Sequence, residues 1–230
     1  MRQWDANAVK ALRAAVFAND GSIVEVARGR LTDEVLQIAG DGLLDAVAQG
    51  VPEAAELAAQ CAAALRERAW VGDEELADQL EAILNLGATP MLRPLPVDLE
   101  QLASLLEGDP VWGGGRIDLK TGECWPESSD YEDDCFDEDE DHWLYVERVG
   151  SHEGYRDMEL FIATVEDPTI VDRLEIAIRG KGAFRRFKDV LSQYPEELQR
   201  YFLFSGERQL GRARAWLAAA GYRPAKAAKL

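Results

Sequence analysis

Thiol and imidazole side chains are scarce in this 230-residue chain, which has three cysteines and two histidines. Cys61, Cys124 and Cys135 are odd in number and form no Cys-x-x-Cys pair, which argues against a disulfide framework and a structural zinc site. Neither a Ser/His/Asp nor a Cys/His arrangement is readable around His142 and His152. We therefore expect no cofactor and assign no catalytic residue.

Long apolar runs are also missing from the sequence. No stretch approaches the ~20 apolar residues that a transmembrane helix needs, and no apolar segment follows the charged N-terminus as it does in a signal peptide. We expect a cytoplasmic protein that does not bind a membrane.

Cys61 shares a helical face with Leu57 and Leu65 and is expected to be a small core residue.

Basic residues are in deficit, because 43 acidic side chains outnumber 25 basic ones and give a net charge of −18. Residues 1–90 carry −8, residues 91–150 carry −13 and residues 151–230 carry +3. The excess argues against the whole molecule binding nucleic acid or an anionic membrane. Residues 127–141 hold ten acids in fifteen positions, which predicts a mobile acidic loop.

Apolar residues recur at three- and four-residue spacing from Asp5 to about Glu107, which predicts an all-helical N-terminal region. Gly40 is expected to interrupt this pattern, and Asp73 is expected to cap a helix. Pro90, Pro94 and Pro96 predict an extended linker. We therefore predict a helical module over residues 1–95 and a second module over residues 96–230.

The second module mixes helical and period-two patterns and predicts an α+β fold with a small antiparallel sheet and about four helices. Asp98 is expected to cap a helix from Leu99 to about Glu107, and Asp167 to cap a later one. A hairpin over residues 116–125 and a strand over residues 143–149 form the predicted sheet, with Leu144 and Val146 on one side of that strand and Trp143 and Tyr145 on the other. The further helices are expected at residues 155–165, 168–179, 183–192 and 206–220, the last capped by Ser205. The chain as a whole is predicted to be mainly helical α+β.

Three stretches resemble an uncharacterised bacterial protein family: Arg116 to Glu123, Gly180 to Asp189, and the helix from Glu207 to Leu217. The resemblance covers roughly residues 109–223, and its most specific part is the Gly-Lys-Gly-Ala-Phe-Arg-Arg-Phe-Lys segment. It implies a bacterial cytosolic protein, and the family offers no activity or catalytic residue to transfer. Residues 1–95 are expected to be an added helical module.

The segment that begins at Gly180 places two glycines and three basic residues at the start of a helix, where backbone amides bind anions. Lys181, Arg185 and Arg186 are therefore candidates for holding a phosphate. The structural alternative is that Gly180 ends the preceding helix and that Arg185 pairs with Asp189.

Two further charged groups are candidates for binding. Arg208 and Arg212 lie one helical turn apart and form a candidate basic face. Asp137, Asp139 and Asp141 alternate like the first ligands of a calcium loop, but His142 stands where that motif has glycine. A solvated acidic loop is the preferred interpretation of the three aspartates, and we assign no metal.

These patterns favour a non-catalytic bacterial cytosolic binding or regulatory protein that acts through a macromolecular partner, with a protein as the expected partner. One alternative is a phosphate-handling or metal-assisted enzyme with its site among Lys181, Arg185, Arg186 and the acids of residues 127–141. The other alternative is a nucleic-acid binder through the C-terminal basic face, which the net charge disfavours.

Overall fold

The computed structural model describes residues 4–107, 114–127 and 142–226. Within these ranges the chain forms ten helices and five short strands, and it is a mainly helical α+β protein, as predicted. The elements are α1 Ala6–Ala18, α2 Ile23–Ala27, α3 Leu36–Ala48, α4 Ala54–Arg68, α5 Asp73–Ile83, β1 Arg93–Leu95, α6 Leu99–Glu107, β2 Gly115–Asp118, β3 Cys124–Pro126, β4 Trp143–Val146, α7 His152–Ile162, α8 Pro168–Ala177, α9 Ala183–Leu191, α10 Pro195–Ala219 and β5 Tyr222–Pro224. No helix in the described ranges is long and apolar enough to cross a membrane.

The chain divides into two compact units. The helical unit comprises Met1–Pro90 and Gly154–Gly211, and the sheet unit comprises Met91–Glu153 and Arg212–Leu230. This grouping differs from the predicted division at residues 95 and 96, because residues 154–211 belong with the N-terminal helices. Local sequence patterns do not reveal long-range packing of this kind. Independent folding of residues 1–95 stays a prediction.

Small residues let the N-terminal helices of the helical unit pack closely. Gly40 lies inside α3 and does not interrupt it, which corrects the prediction, because a Cβ atom there would lie 2.6 Å from a methyl carbon of Leu76 in α5. Gly72 has φ +86° and precedes α5, and a Cβ atom on it would lie 2.0 Å from the carbonyl oxygen of Gly211 in α10. The lack of a side chain lets the Leu76 side chain approach α3 at Gly40 and lets the backbone of α10 approach Gly72.

The second half of the helical unit has a largely aromatic and aliphatic core formed by α7 to α10. Phe161 and Phe187 are fully buried, and each packs edge-on against the ring of Tyr201 at centroid distances of 5.2 and 4.8 Å. Helix α10 begins at Pro195, eleven residues before the predicted start, so Ser205 lies inside the helix and is not its cap. Proline suits the first helical turn, and two acidic residues follow it there.

A buried ionic network joins these two parts of the helical unit. The Glu207 carboxylate of α10 accepts hydrogen bonds from the backbone N–H groups of Gln37 and Ile38, at 2.7 and 3.1 Å, and from the Arg68 guanidinium at 2.9 Å. Arg68 also donates to Asp73 at 2.6 and 2.9 Å. The side chains of Arg68, Asp73 and Glu207 are at most 1% exposed.

Glu207 therefore caps the N-terminus of α3 from a segment 170 residues away, satisfying amide groups that have no partner within the helix. Asp73 is the first residue of α5 and not its N-cap, which is Gly72. Its carboxylate accepts instead from Arg68 and from the Trp70 backbone N–H at 2.8 Å. The predicted cap is wrong because Arg68 occupies that carboxylate.

The sheet unit contains two small sheets. β1 and β5 pair in parallel, with Arg93 opposite Tyr222, and this pair replaces part of the predicted proline-rich linker. β2 lies between β3 and β4 in an antiparallel sheet, as the hairpin and strand predictions require. Helix α6 begins as predicted at Leu99, where Asp98 accepts from the Glu100 backbone N–H at 2.8 Å.

Cys61 is a fully buried core residue, as predicted, and burial raises the pKa of its thiol to about 12. Because the thiolate is the nucleophile, we expect native Cys61 to react with iodoacetamide at least about a hundredfold more slowly than in urea-unfolded protein. Mass spectrometry of peptides after timed quenching measures this rate. Equal labelling of Cys61 in native and unfolded protein would contradict the assigned packing.

Candidate interaction surface

The three-stranded sheet presents one face to a core and the other to solvent. On the core face, Ile117 and Val146 are almost completely buried. Two backbone N–H groups at the sheet margin, of Gly114 and Val149, donate to carbonyl oxygens near the C-terminal end of α6, at 2.8 and 2.9 Å. These bonds hold the margin of the sheet against α6, and the burial of Ile117 and Val146 leaves the alternate side chains facing outward.

Aromatic side chains gather on the outward side around one arginine. Arg116 lies on the central strand, directly opposite Trp125 on β3 and Tyr145 on β4, so the three side chains share a face. Trp143, two residues before Tyr145, lies on this side as well, and the Arg116 guanidinium stands over its ring at 4.1 Å. We call Arg116, Trp125, Trp143 and Tyr145 the aromatic face.

The aromatic face is accessible to a partner. Tyr145 is 64% exposed and Trp125 is 43% exposed, whereas Trp143 is half-buried beneath Arg116 and beside the ring of His142. Aromatic side chains of this size normally bury most of their area in cores or interfaces. A group of them on a sheet surface is typical of a site that contacts another molecule.

Carboxylates border the aromatic face. Glu123 and Glu127 flank Trp125 at two-residue spacing and Glu147 follows Tyr145 at the same spacing, and all three are exposed. The pairing of β2 with β3 continues to Glu123 and Glu127, since Asp118 N–H donates to the Glu123 carbonyl at 3.0 Å and Glu127 N–H donates to the Gly114 carbonyl at 3.1 Å. We call Glu123, Glu127 and Glu147 the carboxylate rim.

Asp118 carries a further negative charge at the end of β2. Partial desolvation raises its pKa, but hydrogen bonds from the backbone N–H groups of Lys120 and Thr121 outweigh this effect, so the pKa lies below its usual value. Asp118 thus adds a fourth acidic side chain, beside the three of the carboxylate rim, to the strands that carry the aromatic face.

The structure gives Arg186, a predicted anion-binding residue, a different set of partners. Its guanidinium donates to the carbonyl oxygens of Ala177 at 3.0 Å, of Arg179 at 2.5 Å and of Lys181. These carbonyls end α8 and the turn that follows it, where a helix leaves acceptors unsatisfied. Arg186 thus stabilises a helix C-terminus.

The other predicted anion-binding residues do not converge on one site. Lys181 is exposed, and Arg185 is 90% exposed with its nitrogen 3.9 Å from Asp189, as the structural alternative proposed. Arg208 binds Asp157 in the helical unit. Arg212, in the sheet unit, binds Glu107 with one N–O distance of 2.8 Å. The geometry therefore favours structural roles for Arg208 and Arg212, and phosphate binding stays a prediction.

We expect Arg186→Met to lower the free energy of unfolding by about 1–2 kcal/mol, because carbonyl groups at the end of α8 lose a charged donor. Arg185→Met, on the exposed side of the same helix turn, should change it by no more than about 0.5 kcal/mol. Urea unfolding of both variants, with and without inorganic phosphate, measures these effects. Phosphate stabilisation that is present in the unchanged protein and lost in Arg186→Met would contradict the structural role.

The weak metal candidates Asp137, Asp139 and Asp141, with most of the predicted acidic loop, lie outside the described residues. Within the described ranges, no group of three or more His, Cys, Asp or Glu residues is placed to hold a metal ion.

The aromatic face was not among the sites predicted from the sequence, although part of its signal was present. Period-two alternation placed Trp143 and Tyr145 on one side of a strand. The pairing of Arg116 with Trp125 and Tyr145 requires the strand register, which the sequence pattern alone left open.

Comparison with known proteins identifies a related family for the C-terminal part. Residues 123–230 match the model of a family described as Uncharacterised protein family (UPF0158), which confirms the predicted resemblance to an uncharacterised family over that segment. A protein of Pseudomonas aeruginosa named as a UPF0158 protein is 28% identical over 130 residues, covering 55% of this chain and 84% of the relative. No solved structure matches the chain. The family match includes β3, β4 and therefore three of the four residues of the aromatic face.

Proposed function

We propose that this chain is a non-catalytic binding protein of the bacterial cytoplasm, and that a protein partner contacts it through the aromatic face. The observation that supports this proposal is the exposure of Trp125 and Tyr145 on either side of Arg116. Tryptophan, tyrosine and arginine are the residues most enriched where protein interfaces concentrate their binding free energy. The Pseudomonas relative supports a bacterial setting.

A rigid base supports a binding role for this surface. The side chains project from paired strands whose opposite face is buried, and Ile117 beneath Arg116 is completely inaccessible. Side chains held on regular elements lose less conformational entropy on binding than side chains on loops do. The aromatic face is therefore suited to recognition without a conformational change.

The alternatives have weaker support among the described residues. The phosphate-handling enzyme would use Lys181, Arg185, Arg186 and the acids of residues 127–141, and of these the Arg186 guanidinium already donates to backbone carbonyls. The nucleic-acid binder depends on Arg208 and Arg212, each of which binds a carboxylate of its own unit. Binding of a phosphate group would have to compete with these ion pairs.

The proposal is tested by affinity purification of the tagged chain from the bacterium that produces it, with partners quantified by mass spectrometry. We expect Trp125→Ala/Tyr145→Ala to lose at least one polypeptide that the unchanged protein retains. Phe17→Ala is the matched control, because Phe17 is a 92% exposed aromatic residue of the helical unit. Identical partner sets for all three proteins would contradict the proposal.

A further inference from the structure

Resting on the proposed function, we infer that the aromatic face binds a positively charged, extended segment of its protein partner, rich in arginine or lysine. The structure already contains one example of the required contact. The Arg116 guanidinium stands 4.1 Å from the centre of the Trp143 ring, so this surface holds a cation against an aromatic ring. Trp125 and Tyr145 expose further ring surface of the same kind on either side.

The charge surrounding the rings selects a cationic partner. Glu123 and Glu127 flank Trp125, and Glu147 follows Tyr145, so each exposed ring has a carboxylate two residues away along the chain. Residues 91–127 and 142–150, which supply the three strands of this sheet, carry a net charge of −4 without the acids of residues 128–141. A nucleic acid or an anionic membrane would meet repulsion here, whereas a guanidinium or ammonium group gains both ring contact and Coulomb attraction.

The spacing of the rings suits a polyproline-II segment. Trp125 and Tyr145 are on the two strands that flank β2, so their backbones are about 10 Å apart across the sheet. In a polyproline-II helix, residues three apart lie on the same side and are separated by about 9 Å. Cations at every third position therefore reach both exposed rings at once.

The test uses the full chain and three fluorescein-labelled peptides that differ only in charge: (Arg-Pro-Pro)₃, (Gln-Pro-Pro)₃ and (Glu-Pro-Pro)₃. A 12-nucleotide oligothymidylate is the fourth probe, and fluorescence anisotropy at several salt concentrations measures binding. We expect the arginine peptide to bind at least about tenfold more tightly than any other probe, with affinity that falls as salt rises. Equal or tighter binding of the neutral peptide, the acidic peptide or the oligonucleotide would overturn the inference.

Substitutions then locate the binding. Trp125→Ala/Tyr145→Ala should weaken binding of the arginine peptide by about 5–30-fold, because each exposed ring contributes a cation–π contact. Trp125→Phe/Tyr145→Phe, which keeps both rings, should remain within about fivefold, and Phe17→Ala should not change binding. Thermal unfolding measures whether each variant is folded. If the alanine variant is unfolded, the phenylalanine variant still tests the inference, because a loss above its expected limit would contradict it.

The acids of residues 127–141 require a separate control, because a polyanion attracts cationic peptides without any contact to aromatic rings. Replacing the nine acids of residues 128–141 with their amides, Asp→Asn and Glu→Gln, keeps the length of the connection between β3 and β4 and should leave the loss caused by Trp125→Ala/Tyr145→Ala in place. If this neutralisation abolishes binding and the ring substitutions do not, the inference is wrong. If the arginine peptide fails to bind while the ring substitutions still remove a cellular partner, the partner class is wrong and the proposed function stands.

Discussion

Replacing Glu207 with alanine is expected to lower the free energy of unfolding by about 3–5 kcal/mol. The substitution removes a completely buried carboxylate that accepts from Arg68 and from the Gln37 and Ile38 backbone N–H groups. Arg68 then keeps Asp73 as a partner but loses half of its neutralising charge in a site from which water is excluded. Two amide groups at the start of α3 also lose their acceptor.

Urea unfolding followed by circular dichroism measures this loss. Glu67→Ala is the control, because Glu67 is an exposed acid adjacent to Arg68 on α4, and its removal should change stability by no more than about 0.5 kcal/mol. A loss of less than about 1 kcal/mol for Glu207→Ala would show that the network does not hold α10 to the N-terminal helices.

Gly211→Ala is expected to destabilise the protein by about 1–3 kcal/mol, although alanine favours helices in general. A Cβ atom at Gly211 would lie 2.1 Å from the carbonyl oxygen of Val71, so α10 must move away from the start of α5. The backbone contact with Gly72, and the neighbouring contacts of Glu207 one turn earlier, would be strained by the same shift.

Gly206→Ala is the matched control for this substitution, because Gly206 lies in the same helix and a Cβ atom there meets no atom within 4 Å. We expect this variant to be as stable as the unchanged protein or more stable by up to about 1 kcal/mol. Differential scanning calorimetry of both variants separates helix propensity from close packing. Parallel changes in both variants would contradict the assigned contact.

Elements with complete local signals were predictable from the sequence. Asp98 and Asp167 cap α6 and α8, since each side chain accepts from a backbone N–H at 2.8 Å in the first turn. The hairpin of β2 and β3 follows from period-two alternation around a turn that contains Gly122. In each case the residues that determine where the helix begins or where the hairpin turns lie within one short segment of the sequence.

Features that depend on distant partners were not predictable. Asp73 resembles an N-cap in its own segment, but Arg68 and Gln37 occupy its carboxylate. The parallel pairing of β1 with β5 joins three-residue strands that each contain a proline, and neither has a recognisable strand pattern. The start of α10 at Pro195 was missed because Ser205 and Gly206 resemble a helix boundary. The helix nevertheless continues through both residues, and the local sequence does not show this.

The sequence predicted only part of the aromatic face, because the rest depends on how the strands pair and which side of the sheet is buried. Alternation placed Trp143 and Tyr145 on one side of a strand, yet it does not tell which side is buried. The burial of Ile117 and Val146 on the opposite side decides that question and leaves Arg116 with the aromatic residues. Conversely, the sequence does not show the carbonyl groups that Arg186 binds, and phosphate binding near Gly180 stays a prediction.

Site-specific photo-crosslinking determines whether a protein partner contacts the aromatic face. A photoreactive benzoyl-phenylalanine is placed at Tyr145 in one protein and at Phe17 in another, and cells that produce each are irradiated before purification. Both positions are exposed aromatic residues, so their general reactivity is matched. We expect a covalent adduct with a discrete polypeptide from position 145 and none from position 17. The absence of an adduct at position 145, or the same adducts from both positions, would show that the aromatic face is not the site that binds a partner.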